Sequence, residues 1–288
     1  MKDLNYQLSK LCRENRDGGF STQATRSRLL DLIANQLLAL GFRRMQSTSL
    51  KPKHIDALLA KWREQGIRTG TLKNRLSALR WWAKKVNKPS IIARDNAIYG
   101  IGKRECVAKE SKAKEVDEAK LSSISDQYVC LSIRLQAAFG LRREESIKFS
   151  PSYAVQDDHV KLKSSWTKGG RARSVPIRND EQRQLLAEVK ELVKGGSLIP
   201  AQLNYVQQLN RYQRQLRNAG LTKLHGLRHA YAQQRYLDLT GWKAPVAGGP
   251  TSKELTPEQL APDYEARAIV SSEFGHARVE IAAVYLGR

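Results

Sequence analysis

The sequence predicts a mainly α protein in two units, with one small β-hairpin in the second. Three observations predict it. Apolar residues recur at three-to-four spacing along most of the 288 residues, the period of an amphipathic helix. One stretch departs from that period: VKLKSSWTKGGRARSVPI, residues 160–177, sets two β-like runs about a Lys-Gly-Gly turn, as a hairpin does. Finally, RECVAKESKAKEVDEAK, residues 104–120, is dense in charge and lacks large apolar side chains, the composition of a boundary between domains. The expected organisation is an all-helical domain over 1–105, a linker over 106–118 and an α+β domain over 119–288.

Residues 1–20 read as a weakly ordered start. TQATRSRLLDLIANQLLALG then places Leu29, Leu30, Ile33, Leu37 and Leu40 on one helical face and stops at Gly41. KPKHIDALLAKWREQG is a second helix, with Pro52 near its start and Gly66 at its end. TGTLKNRLSALRWWAKKVNKP is a third, which Thr69 or Thr71 can cap, with Leu72, Leu76, Leu79 and Ala83 along one face. Its other face carries Lys73, Arg80, Lys84 and Lys85, either to lie along DNA phosphates or as an ordinary solvated surface. In the second unit LSSISDQYVCLSIRLQAAFG is helical, and helices resume after the hairpin at DEQRQLLAEVKELVKG and NYVQQLNRYQRQLRNAG. GWKAPVAGGPTSKELTPEQLAP is rich in Gly and Pro and reads as loop. The last segment, DYEARAIVSSEFGHARVEIAAVYLGR, is helical with an interruption near Gly275.

Charge restricts the function. Lys plus Arg number 50 against 28 acidic residues, a net +22. Residues 1–110 hold 23 basic and 9 acidic groups and residues 111–288 hold 27 and 19, so both units are basic. Distributed positive charge favours a long polyanion over a small acidic ligand, since each neutralised phosphate releases counterions; a soluble protein that merely has a high isoelectric point, or one that binds an anionic membrane surface, is the alternative. No apolar run is long enough to span a bilayer, and MKDLNYQLSK lacks the apolar core of a secretory signal. Cys12, Cys106 and Cys130 are far apart and form no CxxC pair, so no disulfide framework is expected and the reducing cytoplasm is the expected location.

Several residues have the character of reactive groups. In HGLRHAYA, His225 and Arg228 are three apart and share a helix face; a guanidinium forks onto two phosphate oxygens while an imidazole moves a proton. His225 and His229 have the four-residue spacing of zinc proteases, but Gly226 stands where that motif needs a glutamate, so no metal is expected. In AAFGLRREESIKF, Arg142 follows a helix stop at Gly140 and Glu145 lies three residues on. Lys168 sits at the hairpin turn. His276 and Tyr285, nine residues apart, would fall on opposite faces of one straight helix; they converge only if the chain turns between them, with His276 at a helix start and Tyr285 on a following segment. Each of these, taken singly, also fits an ordinary surface residue.

Their order is more specific than any one of them. Arg142, Lys168, His225, Arg228, His276 and Tyr285 together resemble the catalytic set of the tyrosine recombinases, the phage integrase family. GLRREE resembles the first arginine box, TKGGRARSVP the lysine hairpin, HGLRHAYA the second box and FGHARVEIAAVYLG the last. The resemblance spans about residues 115–288, and the preceding helical domain is similar to the family's SAM-like core-binding domain. It implies site-specific recombination for integration or excision of a mobile genetic element: Tyr285 attacks a DNA phosphate, forms a 3′-phosphotyrosyl link and needs no cofactor. Arg142 and Arg228 would clamp the non-bridging oxygens, and Lys168 would protonate the leaving 5′-oxygen. His225 would help deprotonate the tyrosine or bond the phosphate, His276 would donate to a non-bridging oxygen, and Glu145 would organise the arginine box. The implied partners are double-stranded DNA, a homotetramer assembled on it from protomers that are monomers alone, and an excisionase or DNA-bending helper, in a bacterial cytoplasm at the nucleoid. A non-catalytic DNA-binding regulator on the same fold and a type IB topoisomerase-like enzyme are the alternatives. Two departures from the family pattern are a longer gap between Arg228 and His276, attributed to an inserted loop around 238–265, and an end three residues after Tyr285, where the tail that many members dock on a neighbouring subunit is absent or trimmed.

Overall fold

The computed structural model describes residues 3–103 and 107–288; residues 104–106, where the expected linker begins and Cys106 falls, lie outside them. The chain forms two compact units, 1–105 and 106–288.

The first unit is built from four helices: α1 (Asp3–Glu14), α2 (Phe20–Ala39), α3 (Pro52–Glu64) and α4 (Thr69–Lys85). Helix α1 corrects the expectation of a weakly ordered start. Leu4 and Leu8 are one turn apart and buried, and Asn5 donates 2.6 Å to the Asp31 carboxylate of α2. A twelve-residue helix is marginal alone, so its stability comes from packing that a short local pattern does not display. Leu30, Ile33 and Leu37 of α2 meet Ile55, Leu58 and Trp62 of α3 and Leu76, Leu79 and Trp82 of α4. Both fully buried indoles satisfy their N–H, Trp62 on Gln36 Oε1 and Trp82 on the Ser47 carbonyl, each at 2.8 Å. The residue before α4 is Arg68, which supplies no side-chain cap; Thr69 is already helical, so neither expected threonine caps the helix.

The second unit runs α5 (Glu118–Ser122), α6 (Gln127–Phe139), α7 (Arg143–Ile147), α8 (Pro151–Ala154), β1 (His159–Leu162), β2 (Arg173–Pro176), α9 (Asp180–Val193), α10 (Tyr205–Asn218), α11 (His225–Thr240), α12 (Pro257–Glu273) and α13 (Ala283–Leu286). The mainly α class with one antiparallel hairpin is therefore the class observed. Val160 of β1 pairs with Val175 of β2, and both are wholly buried. The hairpin does not close in a tight turn: residues 163–172 connect it, with a 3₁₀ turn at Ser164–Trp166. Helices α6, α11 and α12 enclose the core through Phe139, Tyr231, Tyr236, Val270 and Phe274.

Two connections differ from the sequence reading. Part of the expected linker is strapped along the second unit: Ala108 N–H donates 3.0 Å to the Ala283 carbonyl, and Lys114 N–H donates 3.1 Å to that of Gly226. The Gly/Pro-rich stretch is loop only over 241–256. Residues 238–240 still belong to α11, and α12 begins at Pro257. A Thr256–Gln259 capping box and Pro257 in the first turn are start signals that a count of prolines obscures. Pro262 lies inside the helix, where its ring removes one backbone bond.

Gly140 ends α6 at φ +59, and a Cβ there would stand 2.7 Å from the Tyr231 ring and 2.9 Å from that of Phe274. Gly140→Ala therefore combines left-handed strain with overpacking. A loss of about 2–4 kcal/mol is expected, measured by urea denaturation; an unchanged midpoint would show that the aromatic pair yields at no cost.

Candidate active site

The site is assembled around the C-terminal end of α12. Arg142, immediately before α7, donates from its backbone N–H to Glu145 Oε2 at 2.7 Å, from Nη1 to Oε1 at 2.9 Å and from Nη2 to the Phe274 carbonyl at 3.1 Å. Arg228 on α11 shares that carbonyl through Nη2 at 2.9 Å, and its Nη1 donates to the Gly140 carbonyl. Its Nε lies 3.4 Å from the Tyr285 hydroxyl, and its guanidinium sits 3.5 Å over the Phe274 ring. A third arginine, Arg173 on β2, donates from Nε to the Glu273 carbonyl at 2.7 Å. The last carbonyls of a helix carry its negative partial charge and lack intrahelical partners, so they are suited to hold guanidiniums without neutralising them.

Glu145 is the counter-ion. It is wholly buried and also accepts from Arg173 Nη1 and Nη2, at 2.8 and 2.6 Å. Burial pushes its carboxyl up, but the Arg173 hydrogen bonds and the charges of Arg173, Arg228 and Arg142 outweigh this and hold it at about 2. Burial brings Arg228 down to about 10, which leaves it cationic at neutral pH. One carboxylate thus faces three guanidiniums, and the excess positive charge is a seat for an anion.

Tyr285 on α13 is 5% exposed. Its ring meets Phe274 edge-on at a centroid distance of 4.8 Å and lies 6.3 Å from His225 and 6.0 Å from His276. The sequence-predicted Arg142, Glu145, His225, Arg228, His276 and Tyr285 are therefore brought together. His276 does not begin a helix. Gly275, at φ +70, terminates α12, and the His276 N–H closes the turn on the Ser271 carbonyl at 2.9 Å, the geometry of a Schellman stop. That stop is what turns the chain between His276 and Tyr285. Burial and neighbouring arginines lower His225, and lower His276 to about 4; the imidazole of His276 is neutral at pH 7, with Nε2 buried and unpartnered.

Lys168 is not joined to this cluster: it lies exposed in the hairpin connection. On α4, Lys84 is exposed and Lys73 half-buried. Arg80 is engaged by the Ala93 carbonyl and Asn96 at 2.9 and 2.8 Å, and Lys85 pairs with Asp17 at 2.9 Å, so the four do not form a uniformly free basic face.

Three residues of the site escaped sequence reading. Arg173 stands three before the proline of RSVP and on the inward-facing register of β2, a signal that alternation within the hairpin carried. His229, weighed only as a metal ligand, packs its ring 4.8 Å from that of Tyr285; burial, first, and His225 lower it to about 4. Glu273 accepts from Tyr231 at 2.9 Å and pairs with Arg235 at 2.9 Å, holding the end of α12 against α11, a long-range role with no local signature. No group of three or more His, Cys, Asp or Glu side chains among the described residues is placed to hold a metal ion.

The family model described as phage integrase, N-terminal, matches residues 1–89, and the model described as integrase matches residues 100–234. No curated protein sequence matches the chain. Among solved structures, the XerH site-specific recombinase bound to palindromic difH substrate in a post-cleavage complex is similar over 99% of this chain and 81% of that one, at 18% identity and a TM-score of 0.59. The Tn1549 transposon integrase in complex with transposon right end DNA covers 99% and 95%, at 14% identity and a TM-score of 0.58. A lambda integrase dimer bound to a COC′ core site covers 98% and 76%, at 15% identity and a TM-score of 0.61. At such identities the likeness is one of fold. No helix among the described residues is long and apolar enough to cross a membrane. With residues 1–89 and 100–234 matched by the family's models and the arginine, histidine and tyrosine side chains converging as described, the chain belongs to the tyrosine recombinases of the phage integrase family, enzymes of site-specific DNA recombination.

Proposed function

We propose that the protein cleaves and rejoins DNA through Tyr285, in the integration or excision of a mobile element. The observation that carries the assignment is the Tyr285 hydroxyl held 3.4 Å from Arg228 Nε, beside a second guanidinium anchored on the same Phe274 carbonyl. A scissile phosphate seated between Arg142 and Arg228 presents its phosphorus to that hydroxyl. Attack builds a phosphorane more negative than the diester, and preorganised guanidiniums stabilise it without reorganising. The tyrosyl oxygen bonds to phosphorus as the 5′-oxygen departs, so the ester is exchanged rather than hydrolysed and no external energy source is consumed. His225, neutral and 6.3 Å away ring to ring, accepts the phenolic proton or bonds the phosphate, and His276 donates to a non-bridging oxygen. Lys168, on its exposed hairpin, reaches the leaving oxygen when DNA lies across the site. Lys73 and Lys84 are the phosphate contacts we assign to α4; Arg80 and Lys85 contribute field more than direct contact. Assembly is as a homotetramer on two DNA duplexes.

Fragmented DNA from the source replicon, incubated with the protein in EDTA, tests this. Protein-linked fragments recovered after denaturation, with the link mapped to Tyr285, are expected; sequence-specific binding without a covalent link overturns it in favour of a non-catalytic DNA-binding regulator. Once that DNA site is mapped, Lys168→Met is expected to slow cleavage by roughly 10²–10³-fold on ordinary DNA. It should be nearly silent on a duplex whose 5′-bridging oxygen is replaced by sulfur, because a thiolate departs without a proton. A thio-duplex that Lys168→Met still cleaves slowly would remove Lys168 from the role of acid.

A further inference from the structure

Helix α12 and the connection that leads into it both contact the segment that carries Tyr285. Arg267 of α12 is 9% exposed. Its Nε donates to both Asp263 oxygens at 2.9 Å, and its Nη1 donates 2.8 Å to the carbonyl of Gly287, two residues beyond Tyr285. Asp263 also accepts from the Tyr236 hydroxyl at 2.5 Å, and that hydroxyl accepts from Trp242 Nε1 at 3.1 Å. A chain of bonds therefore runs from Trp242, at the start of the connection, to the backbone behind Tyr285. The connection meets the same backbone directly: a Cβ on Gly287 would come 2.7 Å from Val246 Cγ1 and 3.3 Å from Pro245 Cβ. Gly287 has φ +77 and ψ −166, a conformation essentially reserved for glycine. From α11, Gln233 Nε2 holds the Tyr285 carbonyl at 3.1 Å.

We propose that Arg267, braced by Asp263 and by residues 242–246, is a positioning residue that seats Tyr285 in the site of its own protomer. This rests on Tyr285 as the nucleophile. The residue touches no reacting atom. It holds the segment from its C-terminal side, while Gln233 holds Tyr285 itself; together they fix where the hydroxyl stands relative to Arg228. An attack geometry misplaced by about 1 Å costs on the order of 10²-fold in rate, so the clamp acts on the chemical step and leaves DNA affinity alone.

The test is single-turnover formation of the covalent adduct at saturating DNA, alongside DNA affinity, for wild type, Arg267→Ala and Arg267→Lys. Lysine keeps the charge beside Asp263 but has one ammonium, which does not span to Gly287 as the fork does. The expected results are rates lower by roughly 10²-fold for Ala and roughly 10-fold for Lys, with affinity within about two-fold of wild type. Folded variants that cleave at the wild-type rate overturn the clamp, and so does an Arg267→Lys protein whose affinity falls in step with its rate. If Arg267→Ala does not fold, the lysine variant decides. A wild-type protein that forms no adduct overturns the nucleophile assignment and the clamp with it, a failure distinct from variants that match an active wild type.

Discussion

Tyr285→Phe is expected to bind its DNA site with affinity within about two-fold of wild type and to form no detectable covalent adduct, a loss of at least roughly 10³-fold. The substitution removes one oxygen. Among the described residues that oxygen makes one long hydrogen bond, 3.4 Å from Arg228 Nε, while the ring keeps its packing on Phe274 and the three histidines. Arg228 remains tied to Gly140 and Phe274, so the anion seat survives and stability changes by less than about 1 kcal/mol. Binding and cleavage are read separately, by mobility shift and by a denaturing gel. Residual adduct in Tyr285→Phe would point to another nucleophile, and joint loss of binding and cleavage would mean that the hydroxyl supports the fold rather than the chemistry.

The second large effect belongs to Glu145. Its carboxylate compensates Arg142 and Arg173, and its removal leaves the buried Arg173 and half-buried Arg142 guanidiniums without that counter-charge. Breaking one partner of a buried pair costs about 3–5 kcal/mol, so Glu145→Ala is expected to lower stability by that amount and to lower cleavage further by loosening Arg142. The pH dependence follows from the same contacts. The carboxyl lies at about 2 in the folded protein against an ordinary 4.5. The unfolded chain therefore binds the proton first as pH falls, and the stability this group contributes is complete above 4.5 and lost on descent toward 2; it amounts to about 3 kcal/mol. His229 and His276 lie at about 4 against 6.5, so their share is lost earlier, between pH 6.5 and 4. Urea denaturation of wild type should show both intervals. Glu145→Gln should keep the upper one and lose the lower. An unaltered acid limb in Glu145→Gln would show that other carboxylates set it.

The helical class, the hairpin and most of the residues that converge on the candidate site were legible because each depends on a local pattern. Helical spacing marked α2, α3 and α4; HGLR put His225 and Arg228 on one face of α11; GLRREE put Arg142 within reach of Glu145. Where the sequence misled, the deciding interactions were distant. Helix α1 exists because Leu4 and Leu8 find α2. The start of α12 hid among prolines that serve there as first-turn residues.

The sequence by itself determined the secondary-structure periods, the basic charge of both units and the order of the candidate site residues, since these are properties of neighbours along the chain. Only the tertiary structure decided that the last carbonyls of α12 gather Arg142, Arg173 and Arg228, that Arg173 is the main partner of Glu145, and that Arg267 reaches the backbone behind Tyr285. These contacts join residues 20 to 132 positions apart. Their energy depends on burial and on shared acceptors, which exist only once the helices have packed.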